Sequence, residues 1–560
     1  MHSGSVSLVL HSHLPWAMNH GRWPHGEEWV YEAAAGSYLP LLDVFDQLVK
    51  ANISPKITIG LSPVLCEQLD HPSFPEKFTE YMEEKIDFAE KDQERFKESG
   101  EDPHKIYLAG WWKEWYHNRL NDYKKKFNGS ILGAFRKFQD DGHIEIMTCG
   151  LSHAYYPLVG EDQHIAQQIK FSVNNYQKHF GRKPRGTWIP ECAYRPSYNW
   201  KSLIPVEPYH YGNHRYGVEE LLNMFGPEYF FVDDKFVTES EYQGELDGSH
   251  KGGNHKSTLR IFNVRSKDSR TGRTSRVLAR NRDLAMQVWS GEIGYPAHPN
   301  YLDFHKKQDR SMLRYWRVTD TKADMQYKDL YHPDWTWEKL DMQTNHFIHH
   351  LENTANYHHE NNKEWASICL PFDTELFGHW WFEGPQFIKY LCEGIHHSPY
   401  LNMATVSEQI DKMNPQEIIA MPEGSWGENN DHSVWMNEDN KWTWEMIYNS
   451  ERRMKDLMDN IDIKSINKEL REVLTLALKS LHLMLASDWQ FLITTWSARD
   501  YAEMRISNHH SDLDRLMFYA QKLLAKDKLT SDEKKDIKAI KERNSLFDEI
   551  KIEDYFCLNG

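Results

Sequence analysis

About seven times along this chain a short apolar run gives way to a polar-aromatic loop and then to a helix. The runs read as buried strands are SVSLVL (5–10), KITIGL (56–61), residues 143–148, TWIP (187–190), YFFVDD (229–234), LRIFNV (259–264), AMQVW (285–289) and ASICLP (366–371). Strands alternating with helices pair in parallel, because each crossover helix carries the chain back to the same edge of the sheet. Function in such folds sits at the C-terminal ends of the strands. Those ends therefore hold the residues to examine first.

The last run enters PFDTELFGHWWFEGP, residues 371–385. Pro371 and the Gly384-Pro385 pair bracket it as a loop. Carboxyl groups perform acid, base and nucleophilic work on glycosidic bonds, and flat rings stack on sugar faces. Asp373 is the expected catalytic carboxylate, with a helix-capping aspartate as the plainer alternative. TWIP delivers Glu191 and Tyr194 in the same manner, and a glutamate straight after Pro190 is a second catalytic candidate.

The first strand runs into HSHLPW. His11 and His13, two apart on an extended segment, point the same way. Three readings stay open: a polar floor for a substrate, a zinc pair, or hydrogen-bonded core. His153 follows the 143–148 strand and joins the substrate-facing candidates. His346, His349 and His350 lack an HExxH pattern and read as a packed or solvated helix face.

Residues 74–138 read as a charged helical excursion carrying Trp111, Trp112 and Trp115. Residues 195–228 read as a small insertion, 239–258 as a mobile surface loop, and 301–360 as mostly helical. After about residue 400 the composition changes. A loop with Trp426, Trp435, Trp442 and Trp444 precedes amphipathic helices. One helix carries Leu470, Val473, Leu474, Ala477, Leu478, Leu481 and Leu485 on a single face. Thr530 and Glu533 form a capping box for the last. The expected organisation is a catalytic region over 1–400 and an α-helical C-terminal domain over 401–560, with the tryptophan-rich loop covering the site.

Composition narrows the partners. A formal charge of −17 disfavours nucleic acid and anionic membranes. No stretch approaches the roughly 20 apolar residues of a membrane span. The N-terminal segment reads as a first strand, not a signal peptide. Six cysteines without CxxC spacing favour a reducing cytoplasm, where the sequon at Asn128 carries no meaning. The sequence holds no GxGxxG, P-loop or GxSxG. The 21 tryptophans and 28 tyrosines point to an aromatic-lined cleft beside a tryptophan-rich core.

Five segments together resemble glycoside hydrolase family 57: HSHLP (11–15), GHIEI (142–146), WIPECAY (188–194), PFDTELFGHWW (371–381) and the tryptophan-bearing segment from 423 on. EGSWG, the late DW and the helical tail look like the 1,4-α-glucan branching enzymes of that family. The resemblance implies an α/β fold: an incomplete (β/α)7 barrel with an inserted small helical domain and a C-terminal helical domain. It implies Glu191 as nucleophile and Asp373 as general acid/base, with no cofactor and no metal. Trp29, Trp289, Trp426 and Trp435 fall at cleft positions, Asp488 at the DW aspartate, and Arg280, with Arg282 as rival, at the glucan-binding arginine. The implied substrates are amylose, glycogen and amylopectin; monomer and homo-oligomer stay undecided. GYPAHPN departs from the family's GYPGD at Ala297 and His298, and the 241–258 loop has Tyr242 near its start instead of a central tyrosine. Both departures bear on the ratio of transfer to hydrolysis. The alternatives are an α-amylase or 4-α-glucanotransferase with the same chemistry, a zinc hydrolase using His11 and His13 with Asp373, and a non-catalytic glucan-binding protein.

Overall fold

A computed structural model describes residues 2–251, 256–291 and 293–558. Seven strands form its frame: β1 (Gly4–Ser12), β2 (Ile57–Leu61), β3 (Ile144–Cys149), β4 (Thr187–Trp188), β5 (Tyr229–Val232), β6 (Ser275–Ala279) and β7 (Ala366–Asp373). β1 lies between β7 and β2, β2 pairs with β3, and β3 with β4, all in parallel. A parallel bridge from Gly186 to Tyr229 joins the edge of β4 to β5, and β5 pairs in parallel with β6. Just beyond β6, the Asn281 amide donates to Cys369 O of β7 at 3.3 Å. The succession of pairings thus returns to the strand it left. Every residue of β1 is buried, as a parallel strand covered on both faces requires.

Helices cover this frame. The excursion expected over 74–138 is present as helices Phe74–Glu98, Pro103–Asn121 and Ile131–Asp140. Trp112 is buried and donates its indole N–H to Arg314 O. Several local expectations need correction. AMQVW is not a strand: Arg282–Trp289 is a helix, because Asn281 Oδ1 accepts from Leu284 N and caps it. The strand there is β6, one segment earlier. Apart from two single 3-10 turns, Met325–Tyr327 and Pro333–Trp335, residues 301–336 are irregular, held by the bridges Leu302–Arg317 and Trp316–Leu330, and α-helix begins only at Trp337. Within 239–258, Glu241–Glu245 is a strand antiparallel to Glu417–Ala420; residues 252–255 lie outside the described residues.

The compositional change near 400 comes before the structural one. Leu401–Met403 still pairs with β1, and Glu417–Ala420 joins the small sheet around β6. The long helices of the C-terminal part are Lys441–Asp459, Lys468–Met484, Arg499–Leu524 and Ser531–Arg543. The stripe from Leu470 to Leu481 is buried, in one apolar cluster with Ile165, Ile169 and Tyr155. The Thr530–Glu533 capping box is formed. Among the described residues no helix is long and apolar enough to cross a membrane.

Candidate active site

Asp373 is the last residue of β7 and lies beside His11, its register partner on β1. Glu191 sits on the single turn that follows β4. Its φ is +60°, and Cys192 follows at +47°. Left-handed backbone at non-glycine residues costs of order 1–3 kcal/mol each, and it gathers at functional sites. The strain is held from outside: Trp426 N donates to Glu191 O at 3.0 Å, and Tyr194 and Gly424 exchange backbone hydrogen bonds at 2.9 and 3.1 Å. The tryptophan-rich segment is therefore zipped onto the glutamate's own turn.

Both carboxylate oxygens of Glu191 are occupied. Oε1 accepts from Ser487 Oγ at 2.8 Å and Oε2 from Trp426 Nε1 at 3.0 Å. Burial pushes Glu191 up to about 7; these two hydrogen bonds pull the other way, and the Asp488 charge adds to the rise. Asp373 has no such donors among the described residues. Burial raises it well above the usual carboxylate range, the charges of Glu375 and Glu191 add to that, and Arg280 opposes. Burial raises both acids, but only Glu191 has donors on its oxygens that oppose the rise, so the surroundings of the two carboxyls differ.

Three imidazoles, those of His11, His13 and His153, pack together beside Glu191. His13 stacks on His153 with ring centroids 3.9 Å apart, and His11 stacks on Trp188 at 4.6 Å. His11 Nε2 lies 3.0 Å from His153 Nε2, and His153 Nδ1 lies 2.9 Å from Ser487 Oγ. Burial holds His11 and His153 well below the ordinary imidazole range, so both are neutral. His13 Nδ1 meets Ser62 Oγ at 2.8 Å, and its Nε2 meets Asp488 Oδ2 at 3.0 Å. The zinc arrangement of His11 and His13 with Asp373 is not assembled. Among the described residues, the two groups compact enough to hold an ion are His11, Cys149, His153 and His13, His153, Asp488, and neither unites those three residues.

Arg280 forms a two-pronged pair with Asp233 at 2.9 and 2.8 Å and lies over Trp426. Arg282 reaches the same carboxylate at 3.3 Å with half of its side chain in solvent. Only Arg280 bears on Asp373. Trp29 packs edge-on against Tyr501 of the C-terminal part, and Trp289 is 38% exposed. Trp435 is different. It is 1% exposed, stacked on Tyr155 at 4.6 Å, and its carbonyl accepts from the buried Trp444. Trp435 and Trp444 are core, and neither presents a ring face.

Sequence reasoning passed over three residues. Ser487 directly precedes the DW pair, Asp233 is the first aspartate of the YFFVDD run, and Glu375 stands two residues after Asp373. Glu375 is buried against the Tyr38 hydroxyl, and burial pushes it up to about 7. Adjacency to a recognised motif was the signal available for each.

Parallel strands wrapped in helices, with acidic groups and indoles gathered at the strand ends, place this chain among the carbohydrate-active α/β enzymes. Residues 7–422 match Glycosyl hydrolase family 57, and residues 446–555 match the C-terminal region of 1,4-alpha-glucan branching enzymes. The chain belongs to glycosyl hydrolase family 57. It is 36% identical to the 1,4-alpha-glucan branching enzyme TK1436 of Thermococcus kodakarensis, over 99% of this chain and 79% of that protein. The crystal structure of the GH57-type branching enzyme from Pyrococcus horikoshii aligns with TM-score 0.88 at 35% identity, covering 99% of this chain and 97% of that one. The alpha-amylase AmyC of Thermotoga maritima aligns with TM-score 0.80 at 28% identity, covering 99% of each chain.

Proposed function

We propose that this protein is a 1,4-α-glucan branching enzyme that cleaves an α-1,4 bond and rejoins the released chain through an α-1,6 bond. The observation that carries this reading is the reach of the C-terminal part into the site. Ser487 holds Glu191, and Asp488 holds His13. Both lie in the segment that matches branching enzymes, and the relatives TK1436 and the Pyrococcus protein carry that name.

The mechanism we infer is a double displacement. Glu191, ionised, attacks the anomeric carbon while Asp373 gives its proton to the departing 4-oxygen. A β-glucosyl ester forms on Glu191. Asp373, now a carboxylate, takes the proton of the incoming 6-hydroxyl, and the ester bond breaks. Retention by this route calls for carboxyl groups about 5–5.5 Å apart. The unlike surroundings of the two acids support these roles. His11, His13 and His153 form the floor of the subsite beside the cut. Trp426 roofs the nucleophile, Trp29 and Trp289 line the glucan path, and Arg280 orients it. We read the seven strands as the incomplete (β/α)7 barrel and residues 441–543 as the helical domain. The six cysteines are unpaired, which supports a cytoplasmic location.

Amylose digestion tests the reading. Iodine colour should fall without a matching rise in reducing ends, and isoamylase should then release short chains. Loss of colour with stoichiometric new reducing ends would favour an α-amylase, the reading that the likeness to AmyC keeps open.

A further inference from the structure

Four side chains from four separate segments of the sequence make an unbroken hydrogen-bonded line. It runs from His11 Nε2 to His153 Nε2 at 3.0 Å, from His153 Nδ1 to Ser487 Oγ at 2.9 Å, and from Ser487 Oγ to Glu191 Oε1 at 2.8 Å. The only atom at its far end is His11 Nδ1, which is buried and has no partner among the described residues. The direction of every proton in the line can be worked out from its two ends.

An ionised carboxylate only accepts. Ser487 has one hydroxyl proton and must spend it on Glu191. Ser487 Oγ then accepts, so His153 must carry its proton on Nδ1. A neutral imidazole has one N–H, so His153 Nε2 is bare and takes a proton from His11 Nε2. His11 Nδ1 is therefore a lone pair. That assignment suits its surroundings, because a buried N–H without an acceptor is rarer than an unsatisfied acceptor. Gly60 makes the room there: a Cβ at that position would come within 3.4 Å of His11 Nδ1 and 2.9 Å of Met147 Cε.

We propose that Ser487 is a positioning residue that couples Glu191 to the two buried histidines, so that three aligned donors favour the nucleophile as an anion. This inference rests on the assignment of Glu191 as nucleophile made above. Aligned hydrogen bonds in a dry interior polarise one another. The line therefore favours Glu191 as the attacking carboxylate before the reaction and as the leaving carboxylate when the ester breaks. It also fixes one rotamer of Glu191, the second oxygen being held by Trp426. The other ionisable groups facing Glu191 are Asp488, Asp373, His13, the thiols of Cys149 and Cys192, and the Tyr155 hydroxyl. None of them replaces the Ser487 proton at Oε1.

The test is Ser487→Ala in the full chain. Alanine keeps the backbone bond from residue 487 to His153 O, 2.9 Å in the native chain. The expected result is an acidic limb of kcat/KM on amylose displaced upward by about one pH unit, the worth of one hydrogen bond to a charged group. An unmoved limb in a folded variant overturns the proposal. A second measurement does not need activity: histidine-selective 15N spectra of the native protein at pH 8, assigned with His11→Asn and His153→Asn. The line requires the proton on His153 Nδ1 and on His11 Nε2, and the opposite tautomer at either ring overturns it. A native protein inactive on every α-glucan would sink the proposed function, whereas the spectra would still decide the hydrogen-bonded line.

Discussion

His13 and Asp488 stand 475 positions apart in the chain and meet with Nε2 at 3.2 and 3.0 Å from the two carboxylate oxygens. The pair joins the end of β1 to the start of helix Asp488–Thr494. It also sets part of the field around Glu191, since the Asp488 charge raises that carboxyl. Asp488→Asn should therefore displace the acidic limb of kcat/KM downward, the opposite sense to Ser487→Ala. A pH profile of both variants reads the two signs in one experiment. An upward move in Asp488→Asn would mean that the field is not what sets Glu191.

Asp373 is expected to be the proton donor, so Asp373→Asn should lower kcat by about 10²–10⁴-fold. The alkaline limb of the native profile, which reports loss of the Asp373 proton, should vanish with it. Glucan binding, measured by affinity electrophoresis in amylose or glycogen gels, should survive. Retention of more than a tenth of native kcat would remove Asp373 from the mechanism.

Arg280 and Arg282 share Asp233 but not its energetics. Asp233 is fully buried, and Arg280 is 9% exposed. Arg280→Met leaves that carboxylate without its two-pronged partner, which should cost about 3 kcal/mol. Arg282→Met loses a half-exposed contact and should cost less than about 1 kcal/mol. Urea unfolding at pH 7 measures both. Equal costs would show that the pairing geometry does not govern stability here.

Glu383 offers a pH test that does not involve Glu191. Its Oε1 accepts from Leu302 N at 3.1 Å and the Tyr331 hydroxyl at 2.8 Å, while Oε2 is buried without a partner. Burial pushes it up to about 7 from an ordinary 4.5. A raised folded pKa means that its full contribution to stability is present below the unfolded pKa. That contribution is lost as pH rises through the folded one. Glu383→Gln keeps the accepting oxygen and cannot ionise. Its stability relative to the native chain should climb between about pH 4.5 and 7, by up to about 3 kcal/mol, and then level off. A constant difference across that range would refute the assignment.

Much of this site was legible in the sequence because strand ends advertise themselves. An apolar run followed by proline and a carboxylate located both Glu191 and Asp373. Histidines two apart on a strand singled out His11 and His13, which stack with His153 beside Glu191. Other features were hidden for physical reasons. AMQVW is short and apolar, and such a run does not distinguish strand from helix; the cap at Asn281 decided it. The polar neighbours of Trp435 implied exposure, yet burial is set by what packs from elsewhere, here Tyr155. Ser487, Asp233 and Glu375 offered only their adjacency to a motif or strand, since the partners that give a serine or an acid its part lie hundreds of residues away or across a turn. Residues 301–336 look helical by composition, and their bridges form between positions that no helical period relates.

Glu191 is laid down before the midpoint of the chain, and both groups that hold its oxygens, Trp426 and Ser487, come long after. A ribosome would therefore have to add 296 residues after Glu191 before both of its oxygens are gripped. Fragments that stop just short of Ser487, whether nascent or clipped by a protease, would carry all seven strands of the frame yet leave Glu191 Oε1 without its hydroxyl donor.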